Sequence, residues 1–208
     1  MTLTPALVRE YDAQAADRAT TDTATFGLGC FWGPDARFGA VDGVVRTRVG
    51  YAGGTKLDPS YHSLGDHTEV LQVDFDPDAV TYRDLLEAVF RQHDPQTQPA
   101  KPQYQNVVFA STDTRRAAVE TVLSAVGETV ESVETRIEQL SRFSPAEDYH
   151  QKYRLRSKSS FLSVFEEAGY DAEGIRDSPI AAKLNGYVAG HAVDVDTDRP
   201  ASDRHVSE

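Results

Sequence analysis

The chain has 208 residues, a net charge of −12 and 39% apolar residues, enough for one domain with extensions. That charge argues against nucleic acid or an anionic membrane as a partner, and no stretch approaches the roughly 18 apolar residues of a membrane-crossing helix. A single cysteine excludes an intramolecular disulfide and fits a reducing, cytoplasmic setting. Met1 to Asp22 has neither a basic start nor an apolar run, so no signal peptide is expected. Aspartate (20) outnumbers glutamate (13), and arginine (16) outnumbers lysine (5). Such a balance reads either as a surface adapted to high salt or as an ordinary acidic, solvated one.

Residues 5–18 read as a short amphipathic helix, and Thr23 to Leu28 as a short strand. Gly29-Cys30-Phe31-Trp32-Gly33 follows, holding the only cysteine and the only tryptophan. Pro34-Asp35-Ala36-Arg37-Phe38 opens a helix, because Pro suits a first turn and Asp the positive end of the dipole. Cys30 is therefore predicted at a strand-to-helix corner. Backbone N–H groups there would lower its pKa from a reference of about 8.5. A lone cysteine also reads as a small buried hydrophobe. The Gly-flanked turn and adjacent aromatics favour a nucleophile beside an aromatic pocket.

Val45 to Tyr51 alternates at period two and reads as a strand, and 52–66 as a long loop of the kind that carries function. In the predicted strand Thr68 to Phe75, Glu69 leads a face shared with Leu71, Val73 and Phe75. A carboxyl buried there would be costly to ionise; the alternative is a salt-bridged Glu paired with Arg46 or Arg48. Thr81 caps a helix whose buried stripe is Tyr82, Leu85, Leu86, Val89 and Phe90. Further expectations are a strand over Gln103 to Ala110, a helix over Thr112 to Ala125 and a strand over Glu131 to Leu140. A helix should start at Pro145 and run to Tyr153, and another span Ser159 to Gly169. From His191 onward the chain is polar and acidic, a composition expected to be disordered. The predicted organisation is an N-terminal extension (1–22), a catalytic domain (23–170) and an acidic, partly disordered C-terminal extension (171–208). The fold class is α/β (α+β), a two-layer mixed sheet covered by helices.

Several motifs resemble those of the A-type peptide methionine sulfoxide reductases, in that family's order. Gly29-Cys30-Phe31-Trp32-Gly33 is similar to its active-site pentapeptide, Gly50-Tyr51-Ala52-Gly53-Gly54 to its GYAGG, and Pro59-Ser60-Tyr61 to its N-P-T-Y. His67-Thr68-Glu69-Val70 resembles H-A-E-V, and His93-Asp94-Pro95 matches HDP. Ala146-Glu147-Asp148-Tyr149-His150-Gln151 matches AEDYHQ. The resemblance spans about residues 24 to 154 and implies a ferredoxin-like core with excursions. It also implies thiol-dependent reduction of the S epimer of methionine sulfoxide, protein-bound or free, without a cofactor. Cys30 would then be the nucleophile and Glu69 the acid, with Tyr51 and Tyr104 as hydroxyl donors to the sulfoxide oxygen. Phe31 and Trp32 would seat the substrate methyl, although ordinary core packing also accounts for aromatics here. Gly29, Gly33, His150 and Asp148 would support the site, the last two in a buried hydrogen-bond network. A metal reading of Glu147, Asp148 and His150 fails, since no second histidine stands at i+4 and no cysteine can complete a zinc shell.

Departures from the family pattern are specific. Only 96–102 separates HDP from Gln103-Tyr104, so the family's loop Asp has no counterpart. Pro34-Asp35 stands where a small apolar residue and Glu are usual, and the loop before His67 is short. His67, His93 and Asp94 read as structural. With one thiol in the chain, a Cys30 sulfenic acid must be resolved by an external thiol: thioredoxin, glutaredoxin or a small thiol. A monomer is expected. Two competing readings are a methionine-sulfoxide-binding or sensing module without turnover and a thiol peroxidase, the latter disfavoured by the aromatic pair beside Cys30.

Overall fold

The computed structural model describes residues 3–195. Alternating apolar residues build the strands β1 (Asp22–Leu28), β2 (Val44–Ala52) and β3 (Thr68–Phe75), and a shorter β4 (Asn106–Phe109). Between them lie α2 (Trp32–Gly39) and α3 (Tyr82–Phe90); α1 (Pro5–Gln14) precedes β1, ending earlier than the predicted residue 18. Thr81 caps α3 as expected: its hydroxyl accepts from the Asp84 N–H, and the Asp84 carboxylate accepts from the Thr81 N–H (2.9 Å). The strand order is β4-β1-β3-β2, all antiparallel, which with the intervening helices is the split βαβ arrangement of a ferredoxin-like fold. Two short strands extend it to a mixed six-stranded sheet. β5 (Arg136–Glu138) runs parallel to β4, and β6 (Phe143–Pro145) antiparallel to β2.

The main core lies under α2, α3 and α4 (Asp113–Ala125), where Phe26, Phe38, Leu71, Phe75, Leu85 and Leu123 are buried together. Ala52, Val70, Val107 and Phe109 form a smaller cluster of their own. β3 is central and buried along nearly its whole length. That placement puts Glu69 in the interior, and register sets it directly opposite Tyr51 of β2.

Four expectations need correction. The strand predicted over 131–140 is only Arg136–Glu138, because residues 131–134 form a turn and irregular backbone before it. The strand predicted from Gln103 begins at Asn106, after a 3₁₀ turn over Pro102–Tyr104 that aims Gln103 inward. No helix starts at Pro145. That proline ends β6, and the Gln151 side chain takes over the sheet edge: its amide accepts from the Val49 N–H (3.0 Å) and donates to the Val49 carbonyl (2.8 Å). The helix α5 (Tyr153–Arg156) starts only after Lys152, which is left-handed (φ 53°). A side chain acting as a surrogate strand has no periodic signature, so helix pattern and strand pattern both fail there.

The predicted C-terminal extension is the fourth. Following α6 (Ser159–Glu167), residues 172–188 form α7 (Ala172–Asp177) and α8 (Pro179–Val188), and every residue of α8 from Pro179 to Gly186 is buried. α8 crosses α2 at backbone contact distance. A Cβ on Gly39 would lie 2.3 Å from the Ala182 carbonyl oxygen, and one on Gly186 2.7 Å from that of Ala36. The segment thus belongs to the folded body, joined through a cluster with Val8, Tyr11 and Phe165. The disorder expected from His191 falls largely on residues 196–208, outside the described residues.

Candidate active site

β1 ends at Leu28, and the chain must turn sharply to enter α2. Gly29 makes that turn with φ +72°, a conformation that favours glycine. Gly33 has no such role, since a Cβ there would meet nothing within 4 Å. Cys30 sits at the corner, exposed, just before the helix. Its thiol pKa is raised, against the sequence expectation. Partial burial is the largest cause and the nearby Glu69 charge adds to it; a hydrogen bond from the Trp32 N–H and the charge of Arg154 oppose both. The amides of the helix start are present, but desolvation outweighs them.

Glu69 is 1% exposed and faces the same corner. One carboxyl oxygen accepts from the Phe31 N–H (3.2 Å), the other from the Gln103 side-chain amide (2.6 Å). Those donors favour the charged form, yet burial prevails and the pKa is raised. Arg46 and Arg48 are not its partners: Arg48 binds Asp74 (2.6 Å) and Asp177 (2.6 Å), and Arg46 reaches the Ala16 carbonyl. A buried carboxyl with a raised pKa thus accepts from the backbone of Phe31, the residue after the exposed thiol.

Tyr51 is fully buried, which drives its phenol pKa far upward, and its hydroxyl donates to Glu147 (2.7 Å), which adds to the shift. The other Glu147 oxygen accepts from the Tyr61 N–H (2.9 Å), tying down the 52–66 loop. Tyr104 is partly exposed, and its hydroxyl feels Glu69, Tyr61 and Cys30. Lys101 lies over its ring (4.8 Å).

Phe31 packs against Tyr51 (6.1 Å) and His150 (5.2 Å) and is 1% exposed, so it serves the core as much as any ligand. Trp32 is only partly buried. Its ring stacks on Tyr153 (3.7 Å, 6°), and its indole N–H donates to His150 Nδ1 (3.2 Å). That bond leaves the proton of neutral His150 on Nε2. Burial lowers the His150 pKa, in keeping with a neutral ring. Tyr61 and Tyr149 crowd the same ring at 4.8 and 4.2 Å. Asp148 does not join this network: it is exposed. His67 and His93 are structural as predicted, His67 bridging Gly54 and Lys56, and His93 bridging Val89 and Thr135.

Beneath the site lies a buried polar cluster that sequence reasoning missed. Asp35 on α2 is 0% exposed and accepts from Thr47 (2.5 Å), Asn185 (3.0 Å), the Lys152 N–H (3.2 Å) and its ammonium (3.4 Å). The only sequence signal was an Asp in a first turn; its partners lie up to 150 residues away. Gln103, the Glu69 partner, was legible only as the neighbour of Tyr104. Among the described residues no group of three or more His, Cys, Asp or Glu side chains could hold a metal, and no helix is long and apolar enough to cross a membrane.

Comparison with known proteins agrees with this geometry. The family model "Peptide methionine sulfoxide reductase" matches residues 22–173. The peptide methionine sulfoxide reductase of Drosophila melanogaster is 39% identical over 174 residues, covering 82% of this chain and 70% of that protein. The MsrA of Methanothermobacter thermautotrophicus is 44% identical over 144 residues, 64% of this chain and 85% of that one. Among solved structures, reduced Mxr1 from Saccharomyces cerevisiae is similar with a TM-score of 0.60 at 30% identity, covering 69% of this chain and 88% of that one. Methionine sulfoxide reductase A of Corynebacterium diphtheriae gives 0.57 at 29%, covering 69% and 79%. With an exposed thiol beside a buried carboxyl and an aromatic wall, the chain belongs to the A-type peptide methionine sulfoxide reductases, thiol-dependent oxidoreductases.

Proposed function

We propose that the chain repairs oxidised protein methionine, and accepts free methionine sulfoxide, by reducing the S epimer at Cys30. The Cys30 sulfur attacks the sulfoxide sulfur while the oxygen takes a proton from Glu69, and the carboxylate recovers the proton of the thiol. Oxygen passes to Cys30, the sulfoxide sulfur gains two electrons, and the products are methionine and Cys30 sulfenic acid. An external thiol then forms a mixed disulfide with loss of water, and a second thiol releases the Cys30 thiol and a disulfide. One observation carries the reading: Glu69, 1% exposed with a raised pKa, is fixed by the backbone of Phe31, the residue after the exposed thiol. A neutral Glu69 holds the proton that the oxide needs, and it removes the charge that raises the thiol.

Trp32, flanked by Tyr153, offers the apolar wall for the substrate methyl, and Tyr104 a hydroxyl for the oxygen. The reductant we favour is thioredoxin, glutaredoxin or a small thiol, because Cys30 is the chain's only thiol. For the same reason we place the protein in a reducing cytoplasm, and we take it to act as a monomer. The test is mass spectrometry of the protein after one equivalent of substrate without reductant. One added oxygen on Cys30, with methionine formed in equal amount, is expected; an unmodified Cys30 with no methionine would sink the reading and favour a binding module.

A further inference from the structure

The chain carries 33 acidic residues against 21 lysines and arginines, yet the corner around Cys30 is flanked by cations. Arg154 lies on α5 directly after Tyr153, whose ring stacks on Trp32 at 3.7 Å, and Trp32 is two residues from the thiol. Arg154 is exposed, and its side chain forms neither a hydrogen bond nor an ion pair among the described residues. Lys101 approaches from a different element. It precedes the 3₁₀ turn Pro102–Tyr104, and its ammonium lies 4.8 Å over the Tyr104 ring, with no carboxylate paired to it among the described residues. The charge of Arg154 reaches Cys30, and that of Lys101 reaches Glu69. Nearby acids do not answer them. Glu69 is buried with a raised pKa, and Glu147 spends one oxygen on the Tyr51 hydroxyl and the other on the Tyr61 N–H. Asp148 acts on Arg156. Both exposed cations therefore stand at the mouth of the site, where a ligand can supply the missing negative charge.

We propose that Arg154 and Lys101 make the reductase site selective for substrates that carry a carboxylate close to the sulfoxide. Arg154 presents a planar fork of donors that matches a carboxylate, whereas Lys101 offers a point charge. Such a carboxylate comes from the α-carboxyl group of free methionine sulfoxide or from an acidic side chain flanking an oxidised methionine in a protein. The proposal rests on the reductase reading and adds no chemical step to it.

The experiment measures second-order rate constants for single-turnover reduction by the full chain at about 0.1 M salt, where charges act over about 10 Å. One pair of probes is the S epimer of N-acetylmethionine sulfoxide and its N-methylamide, which differ by the α-carboxylate alone. The other is a capped tripeptide with glutamate or glutamine after the oxidised methionine. The ratio within a pair is the readout, because both members meet the same thiol and any change in its ionisation cancels. Wild type should prefer the charged member of at least one pair by roughly two- to fivefold per cation engaged, the worth of an exposed ion pair. Preference in the first pair assigns the α-carboxylate, and preference in the second the flanking acidic side chain. Arg154→Gln should cut the preference by roughly two- to fivefold, and Arg154→Gln/Lys101→Gln should abolish it. Arg154→Lys should keep part of it, and salt at about 1 M should shrink it in the wild type. Equal rates within both pairs for wild type, or a preference that the double variant leaves unchanged, would overturn the proposal. A wild type that forms no methionine from any probe would instead overturn the reductase reading.

Discussion

Replacing Asp35 by alanine should be among the most damaging single changes in this chain, although Asp35 contacts no substrate. Its carboxylate sits at 0% exposure among four donors, and among the described residues it is the carboxylate that ion-pairs with the equally buried Lys152 ammonium. In Asp35→Ala the ammonium keeps only the Thr47 carbonyl, and three further donors lose their acceptor. Breaking a buried pair from one side costs about 3–5 kcal/mol. At roughly 2–4 °C per kcal/mol for a domain of this size, the melting temperature should fall by about 6–20 °C. Lys152→Met should cost much less, because Thr47, Asn185 and a backbone N–H still satisfy the carboxylate. The pH dependence gives an independent check. Burial lowers the Lys152 pKa below its ordinary 10.5, so in the window below 10.5 the unfolded chain binds this proton more readily. Stability from this group therefore grows as pH rises towards 10.5 and is lost as pH falls through the folded value. Lys152→Met should flatten that slope. Circular dichroism melts of the three proteins from about pH 7 to about pH 10 read both effects. An Asp35→Ala variant melting within about 2 °C of wild type, or above Lys152→Met, would refute the reasoning.

Three other outcomes follow from the site and its supports. Glu69→Gln should slow the first step by about 10²–10⁴-fold and, by removing a nearby negative charge, move the pH midpoint of Cys30 alkylation by iodoacetamide downward; an unmoved midpoint with an unchanged rate would place the acid elsewhere. The same variant should remove a pH dependence from the melt: a raised carboxyl contributes stability fully below its ordinary 4.5 and loses it as pH rises through the folded value, and glutamine does not titrate. Cys30→Ser should abolish turnover with stability kept within about 0.5 kcal/mol, since the side chain is exposed; residual turnover near wild type would remove Cys30 from the chemistry. Gly39→Ala should cost about 1–3 kcal/mol in urea unfolding, because the new methyl lies 2.3 Å from a backbone oxygen that cannot rotate away. A neutral result would mean the two helices slide apart without penalty.

What the sequence made legible follows from where each signal resides. The strands around β3 announce themselves by alternation, and the corner at Cys30 by glycine, aromatic residues and proline within ten positions. Glu69 could be singled out because a carboxyl on an apolar face is locally anomalous. Its companion Gln103 could not, for a glutamine in a turn is unremarkable until the fold aims it inward. Motif order supplied Tyr51 and His150, but not the partner of the Tyr51 hydroxyl, which lies 96 residues on. The Asp35 cluster draws on α2, β2, the turn before α5 and α8, and no periodicity in one segment encodes a meeting of four. The thiol pKa shift was misjudged for the same reason: capping is local and readable, whereas desolvation is set by everything packed nearby.

The family match stops at residue 173, yet α8 comes after it and closes over the helix that follows Cys30. Trimming the chain to that boundary would strip the amide of Asn185 from Asp35 and wet a carboxylate now wholly dry. Loss of α8 would therefore loosen the support behind Cys30 without touching the thiol or Glu69. The corner at Cys30 is secured from behind by a latch that lies past the residues the family model matches.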